Sequence, residues 1–124
     1  MPKASKLSAT ERTSLDGYEG AVEHFEGGWT VAFEEYSQDA DLAPFFDGLP
    51  NNQCQASHLG YVLKGKVAFR TANGEEVFEA GDAYFVGPGH TPIMYAGGEV
   101  IEFSPTEQLA ATMAAVSRNM EAAG

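Results

Sequence analysis

Apolar and polar residues alternate in short runs along the middle of the chain. Trp29, Val31 and Phe33 interleave with Thr30, Ala32 and Glu34, a period of two that predicts a half-buried β-strand. Tyr61–Leu63 and Val67–Arg70 are further β-rich runs joined through Gly65, and Asn73-Gly74 is a hairpin dipeptide leading into Glu76–Phe78. Gly81-Asp82 turns the chain into Tyr84–Val86, Gly87-Pro88-Gly89 turns it again, and Ile93–Tyr95 and Glu99–Phe103 flank a Gly97-Gly98 turn. Turns recurring roughly every eight to twelve residues between short strands predict an all-β antiparallel sandwich or small barrel.

The period changes after Phe103. Ser104-Pro105-Thr106-Glu107 reads as a capping box, with Ser104 as the N-cap and Pro105 in the first helical position. Leu109, Met113, Val116 and Met120 then recur on one helical face, so a C-terminal α-helix is expected over residues 105–124. That stripe either packs on the barrel or meets a partner. Residues 1–12, polar with Lys3, Lys6 and Arg12, read as a flexible arm, leaving 13–104 as the β-domain. Whether residues 13–28 add a strand or exchange onto a partner stays open at this level.

Composition narrows the function classes. A chain of 124 residues is enough for one core. Its net charge of −11 argues against nucleic acid and against an anionic membrane surface, since both call for a basic stripe. It has no apolar run of about 18 residues and no signal-peptide pattern at Met1–Glu11. The single cysteine makes no internal disulfide, which suits a reducing cytoplasm, and a cytoplasmic protein is the expectation.

Three residues carry candidate chemistry: Cys54, His58 and His90. The first two share the segment Asn52-Gln53-Cys54-Gln55-Ala56-Ser57-His58, and the third follows the Gly-Pro-Gly turn. A thiolate with imidazoles suits zinc, copper, nickel or iron rather than magnesium or calcium. Three protein ligands with an open position is the pattern of a reactive zinc site. Taken alone, C-x3-H also fits a buried core cysteine and a hydrogen-bonded strand histidine. His24, within Glu23-His24-Phe25-Glu26, is placed on the surface, and Glu102, Tyr61 and Tyr84 are candidate bases whose side-chain direction the sequence leaves open.

The order of these elements resembles the cupin superfamily over residues 28–104. The first cupin motif reads G-x5-H-x-H-x3-4-E-x6-G, and Tyr61-Val62-Leu63-Lys64-Gly65 is similar to its end. Counting back from Gly65, His58 stands in the slot of the usual glutamate, Cys54 in that of the second histidine and Asn52 in that of the first. In the second motif, G-x5-P-x-G-x2-H-x3-N, Gly81 and Gly89 match, Pro92 fills the histidine slot and His90 lies two residues earlier. A subgroup of small bacterial cupins is similar in Gly-Asp-Ala-Tyr, Pro-Gly-His and Phe-Ser-Pro, but carries Cys-x-Cys-x-x-His where this chain has Ala56.

The resemblance implies a cupin-type jelly-roll barrel with a C-terminal α-helix. It also implies a divalent transition metal, zinc first, on Cys54, His58 and His90, with Asn52 as a possible further donor. The expected function is a metal-dependent enzyme on a small polar organic molecule, of isomerase, lyase or dioxygenase type; the alternative is a non-catalytic cupin binding a small ligand or metal. A homodimer is expected, through the helix face or exposed strand edges.

Overall fold

The computed structural model describes residues 1–123. Ten strands and one helix follow in the order β1 (Glu11–Leu15), β2 (Tyr18–Phe25), β3 (Trp29–Tyr36), β4 (Ala40–Asp41), β5 (His58–Lys64), β6 (Lys66–Thr71), β7 (Gly74–Glu79), β8 (Ala83–Val86), β9 (Thr91–Met94), β10 (Glu99–Pro105) and α1 (Thr106–Ala123). Two short 3-10 turns, Ala43–Phe46 and Pro50–Asn52, cross between β4 and β5. The strands form a six-stranded sheet in the order β1-β2-β3-β10-β5-β8 and a four-stranded sheet in the order β4-β9-β6-β7. Every named pairing is antiparallel, as a jelly roll requires.

Glycines set the corners. Gly65 joins β5 to β6 at φ 64, and a Cβ there would lie 2.8 Å from the Gly97 carbonyl oxygen, so neither the conformation nor the space admits a side chain. The hairpin expected at Asn73-Gly74 forms, linking β6 and β7 in register from Lys66↔Glu79 to Thr71↔Gly74. Strand pairing begins at Glu11, within the stretch read as a loose arm, and β2 pairs with β3 along its whole length.

The barrel interior is filled by Tyr36, Val62, Val67, Phe69, Tyr84, Val86, Met94 and Val100. By period two, Glu34 shares its face with Tyr36, His58 and Gly60 with Val62, and Glu102 and Ser104 with Val100. The interior of the six-stranded sheet is therefore unusually polar, while Leu59, Tyr61, Leu63, Phe85 and Phe103 remain exposed on the other face.

The helix departs from the capping-box expectation. Ser104 is a buried strand residue, and α1 starts at Thr106, whose Oγ1 lies 2.8 Å from Thr30 Oγ1. The buried face of α1 is Thr112, Ala115 and Val116, joined by the partly buried Met120 against Phe46, Cys54 and Ala56; Met113 of the expected stripe is half exposed. Asn119 Nδ2 donates to the Phe45 and Asp47 carbonyls at 2.8 Å each, tying the helix to the first 3-10 turn.

Candidate metal centre

Cys54 lies just before β5 and His90 just before β9, and an isolated antiparallel bridge joins them, with Cys54 N donating to His90 O at 2.7 Å. His58 opens β5 with its side chain inward. One ligand atom from each of the three lies within 4.8 Å of the others, and all three residues are buried: Cys54 at 2%, His58 at 6% and His90 at 1% exposure. Residues 36 positions apart in the chain thus converge as the sequence reading expected.

The outer nitrogens of both imidazoles are occupied. His90 Nδ1 lies 2.6 Å from the Gly87 carbonyl oxygen, which can only accept, so Nδ1 carries the proton and Nε2 keeps its lone pair. His58 Nδ1 lies 2.6 Å from Ser104 Oγ, and its Nε2 is 3.7 Å from Cys54 Sγ. Holding one ring nitrogen so that the other is free is how ligating histidines are oriented. Burial keeps both rings neutral: it lowers His58 below its usual value and takes His90 down to about 4. Burial also raises the Cys54 thiol, which donates toward Thr112 Oγ1 at 3.8 Å.

Below this cluster the interior carries two carboxylates built alike. Tyr84 Oη donates to Glu102 Oε2 at 2.5 Å, and Tyr18 Oη donates to Glu34 Oε2 at 2.7 Å. In each case a glycine opposite the glutamate makes room for the phenol. Gly60 is the Cα partner of Glu102, and a Cβ there would lie 2.2 Å from Tyr84 Cζ; Gly20 is the partner of Glu34, and its Cβ would lie 2.3 Å from Tyr18 Oη. Glu102 and Glu34 are diagonal neighbours on β10 and β3, because Glu102 pairs with Ala32. Burial takes each carboxyl up to about 7, and for Glu34 the charge of Glu102 adds to the effect. Glu102 Oε1 is 3.8 Å from His58 Nδ1, so the carboxylates and the Cys/His cluster form one polar column.

Gly60→Ala is expected to cost roughly 2–4 kcal/mol, because the new methyl group displaces Tyr84 and breaks its bond to a buried carboxylate. Denaturant unfolding measures it, and wild-type stability in the variant would show that the ring moves aside freely.

Other candidates fall elsewhere. Asn52 is exposed at φ 57, and its Oδ1 accepts from Gly48 N at 3.0 Å, so it does not join the cluster. Tyr61 points outward, half exposed. Glu102, a candidate base whose side-chain direction the sequence leaves open, is inside beside His58, together with Tyr84. His24 is exposed, bonded to Thr30 and Glu11. Ser104, Thr112, Glu34 and Tyr18 were missed. For Glu34 and Ser104 the available clue was parity: Glu34 stands two residues from the inward Tyr36, and Ser104 four from the inward Val100.

Comparison with solved structures places this architecture. An RmlC-like cupin from Shewanella frigidimarina is similar with a TM-score of 0.58, covering 82% of this chain and 88% of that one at 18% identity. The fold is that of the cupins. The polyketide cyclase RemF of Streptomyces resistomycificus is similar at a TM-score of 0.59 and 12% identity, over 86% of this chain and 80% of its own. Pac13 of Streptomyces, a nucleoside dehydratase, is similar at 0.57 and 15%, over 86% and 83%. No protein-family model and no curated protein matches the sequence. No helix among the described residues of this cupin barrel is long and apolar enough to cross a membrane.

Proposed function

We propose that Cys54, His58 and His90 hold one divalent transition metal, zinc first and copper, nickel or iron after it, and that the protein is a metal-dependent enzyme acting on a small polar organic molecule. The observation that carries this reading is the convergence of three buried donors whose two imidazoles are pre-oriented by Gly87 O and Ser104 Oγ. One thiolate and two neutral imidazoles fit a borderline divalent ion and leave it a net positive charge. When bound, the metal supplies Lewis acidity toward a carbonyl or water.

The chain's own residues supply proton handling. Glu102 Oε1 and Oε2 lie beside His58 and Tyr84, where a carboxyl with its titration raised toward neutrality accepts or returns a proton. Tyr84 Oη holds that carboxylate in place, and Glu34 with Tyr18 continues the polar wall. Isomerase or lyase chemistry suits this pairing better than dioxygenase chemistry, because a thiolate beside activated oxygen is itself oxidised. RemF and Pac13 show that barrels of this fold host cyclisation and dehydration. A cytoplasmic setting belongs to the same reading, because Cys54 is a free thiol, the state a reducing compartment maintains.

A second reading, a non-catalytic metal or ligand binder, is favoured by the closure of the cluster beneath Thr112 and Val116 of α1. Turnover separates the two. Metal-loaded protein that converts a small carbonyl, hydroxy-acid or nucleoside substrate, with loss of rate in Glu102→Gln at unchanged metal content, supports the enzyme. Reversible ligand binding without conversion supports the binder.

Ser104→Ala removes the group holding His58 Nδ1. Metal affinity is expected to fall about tenfold while the fold persists, the usual scale for losing an outer partner of a ligating histidine. Competition with a chromophoric chelator measures it, and an unchanged affinity would mean that Ser104 does not orient the ring.

A further inference from the structure

Thr112, Ala115 and Val116 are the buried residues of α1, and Thr112 is the polar one among them. It is 2% exposed, and its hydroxyl lies 3.8 Å from Cys54 Sγ. A threonine in mid-helix usually turns its hydroxyl to the carbonyl one turn back, yet this one reaches across to the barrel. One turn earlier, Gln108 Oε1 accepts from Ser57 N at 3.0 Å. The spacing of the two, i and i+4, puts them on one face of the helix. Both land on the segment that carries two of the three candidate ligands: Thr112 on Cys54, and Gln108 on the residue before His58. Packing alone asks for no hydroxyl at 112. Valine has nearly the same shape and leaves no polar group to bury.

We propose that Thr112 is a positioning residue of the metal centre, its hydroxyl donating to the metal-bound sulfur of Cys54 and so fastening α1 over the site. The inference rests on Cys54, His58 and His90 being the ligands. A cysteine sulfur bound to a metal carries no proton and can only accept a hydrogen bond. The contact with Thr112 then reverses its direction, with Oγ1 as the donor. A bond to an anionic acceptor is roughly twice as strong as one between neutral groups. Such donation steadies the sulfur as Gly87 O and Ser104 Oγ steady the two imidazoles. In return, the loaded centre holds the helix more firmly than the free thiol does, because coupling between two equilibria is reciprocal. The other ties of α1 do not reach a ligand side chain. Asn119 bonds the Phe45 and Asp47 carbonyls, and Thr106 N donates to Gly28 O at 2.7 Å. Thr112 is therefore the point at which helix docking and metal binding meet.

Cobalt(II), a coloured stand-in for zinc, tests this on the full chain as wild type, Thr112→Val and Thr112→Ser. Thr112→Val is expected to bind cobalt about tenfold more weakly in competition with a chelator, at wild-type circular dichroism. Its sulfur-to-cobalt charge-transfer band is expected at longer wavelength, because a sulfur that loses a hydrogen-bond donor gives up electron density more readily. Thr112→Ser keeps the hydroxyl and is expected to restore both. In the wild type, cobalt is expected to slow hydrogen exchange of the α1 amides; this readout decides the matter should Thr112→Val fail to fold. An unmoved band in Thr112→Val, or a loss of affinity that serine does not restore, would overturn the proposal. So would α1 exchange that is the same with and without cobalt. Cobalt bound equally by wild type and Thr112→Val would overturn it too, and would leave the three-ligand reading standing. A wild type that takes up no cobalt would remove that reading and this one with it.

Discussion

Cys54→Ala is expected to purify with less than about a tenth of the transition metal found with the unaltered chain, because metal affinity collapses when the anionic ligand is removed from the proposed three-ligand set. The two imidazoles that remain are neutral and hold an ion only through their Nε2 lone pairs. The loss is not explained by unfolding. Cys54 is a small residue in a cluster with Phe46, Ala56 and Val116, and alanine fills most of its volume. The expected stability cost of the truncation itself is roughly 1–2 kcal/mol. Elemental analysis of protein expressed without added metal or a histidine tag is the measurement, beside His58→Ala as a second deletion. Near one metal per chain in the wild type, absent from both variants, names the ion and supports the site. The same metal in all three, or none in any, leaves Cys54 as a core residue and removes the metal-dependent reading. The thiol adds a further sign: burial raises it, so loading the metal must expel a proton, and affinity rises with pH.

The barrel and its turns were legible because Gly, Pro and Asn mark the corners, and Gly65, Gly74 and Gly97 all adopt positive φ where turns were expected. The three-residue cluster was legible because the spacing of Cys54 and His58 before Gly65 and the position of His90 after Gly-Pro-Gly follow the cupin order of elements. Which face of each strand looks inward was not. Alternation in β3 marked two different faces, and it is the Glu34 parity that faces the barrel interior with Tyr36, while of the alternating apolar residues Trp29 is half exposed, Phe33 partly buried and Val31 fully buried. The same inversion occurs in β5, where His58 and Gly60 are inside and Leu59 and Tyr61 outside. Periodicity reports that the two faces differ, not which is buried, and a polar interior with an apolar back reverses the usual assignment. Ser104 was misread for a related reason. Ser-Pro-x-Glu has the local chemistry of a cap, and only the pairing of β10 with β3 and β5 shows that the strand runs through it.

The polar interior makes stability depend on pH in two opposing ways. Glu34 titrates near 4.5 when exposed and at about 7 in the fold, where burial and the charge of Glu102 favour its neutral form. Below pH 4.5 the carboxyl is protonated in both states and contributes no penalty. Between about 4.5 and 7 the unfolded chain releases a proton that the folded chain retains, so stability falls as pH rises, and above 7 the full cost of a buried charge remains. His90 acts with the opposite sign: its folded value of about 4 lies below the ordinary 6.5, so its contribution is complete above 6.5 and is lost as pH falls toward 4. The wild-type profile is therefore partly flattened, and the carboxylate part emerges only by difference. Glu34→Gln keeps an oxygen for the Tyr18 phenol to bond but carries no charge. It is expected to match the wild type near pH 4.5 and to exceed it at pH 8 by on the order of 3 kcal/mol, the scale of a shift of this size. Urea unfolding at both pH values measures the difference, and a gap that is the same at each would mean that Glu34 is not held neutral inside the barrel. The arrangement puts a destabilising pair of carboxylates beside the Cys/His cluster, where packing alone would favour leucine. Two glycines and two tyrosines are placed to accommodate them, so the barrel gives up stability at the positions where the proposed proton handling needs carboxylates.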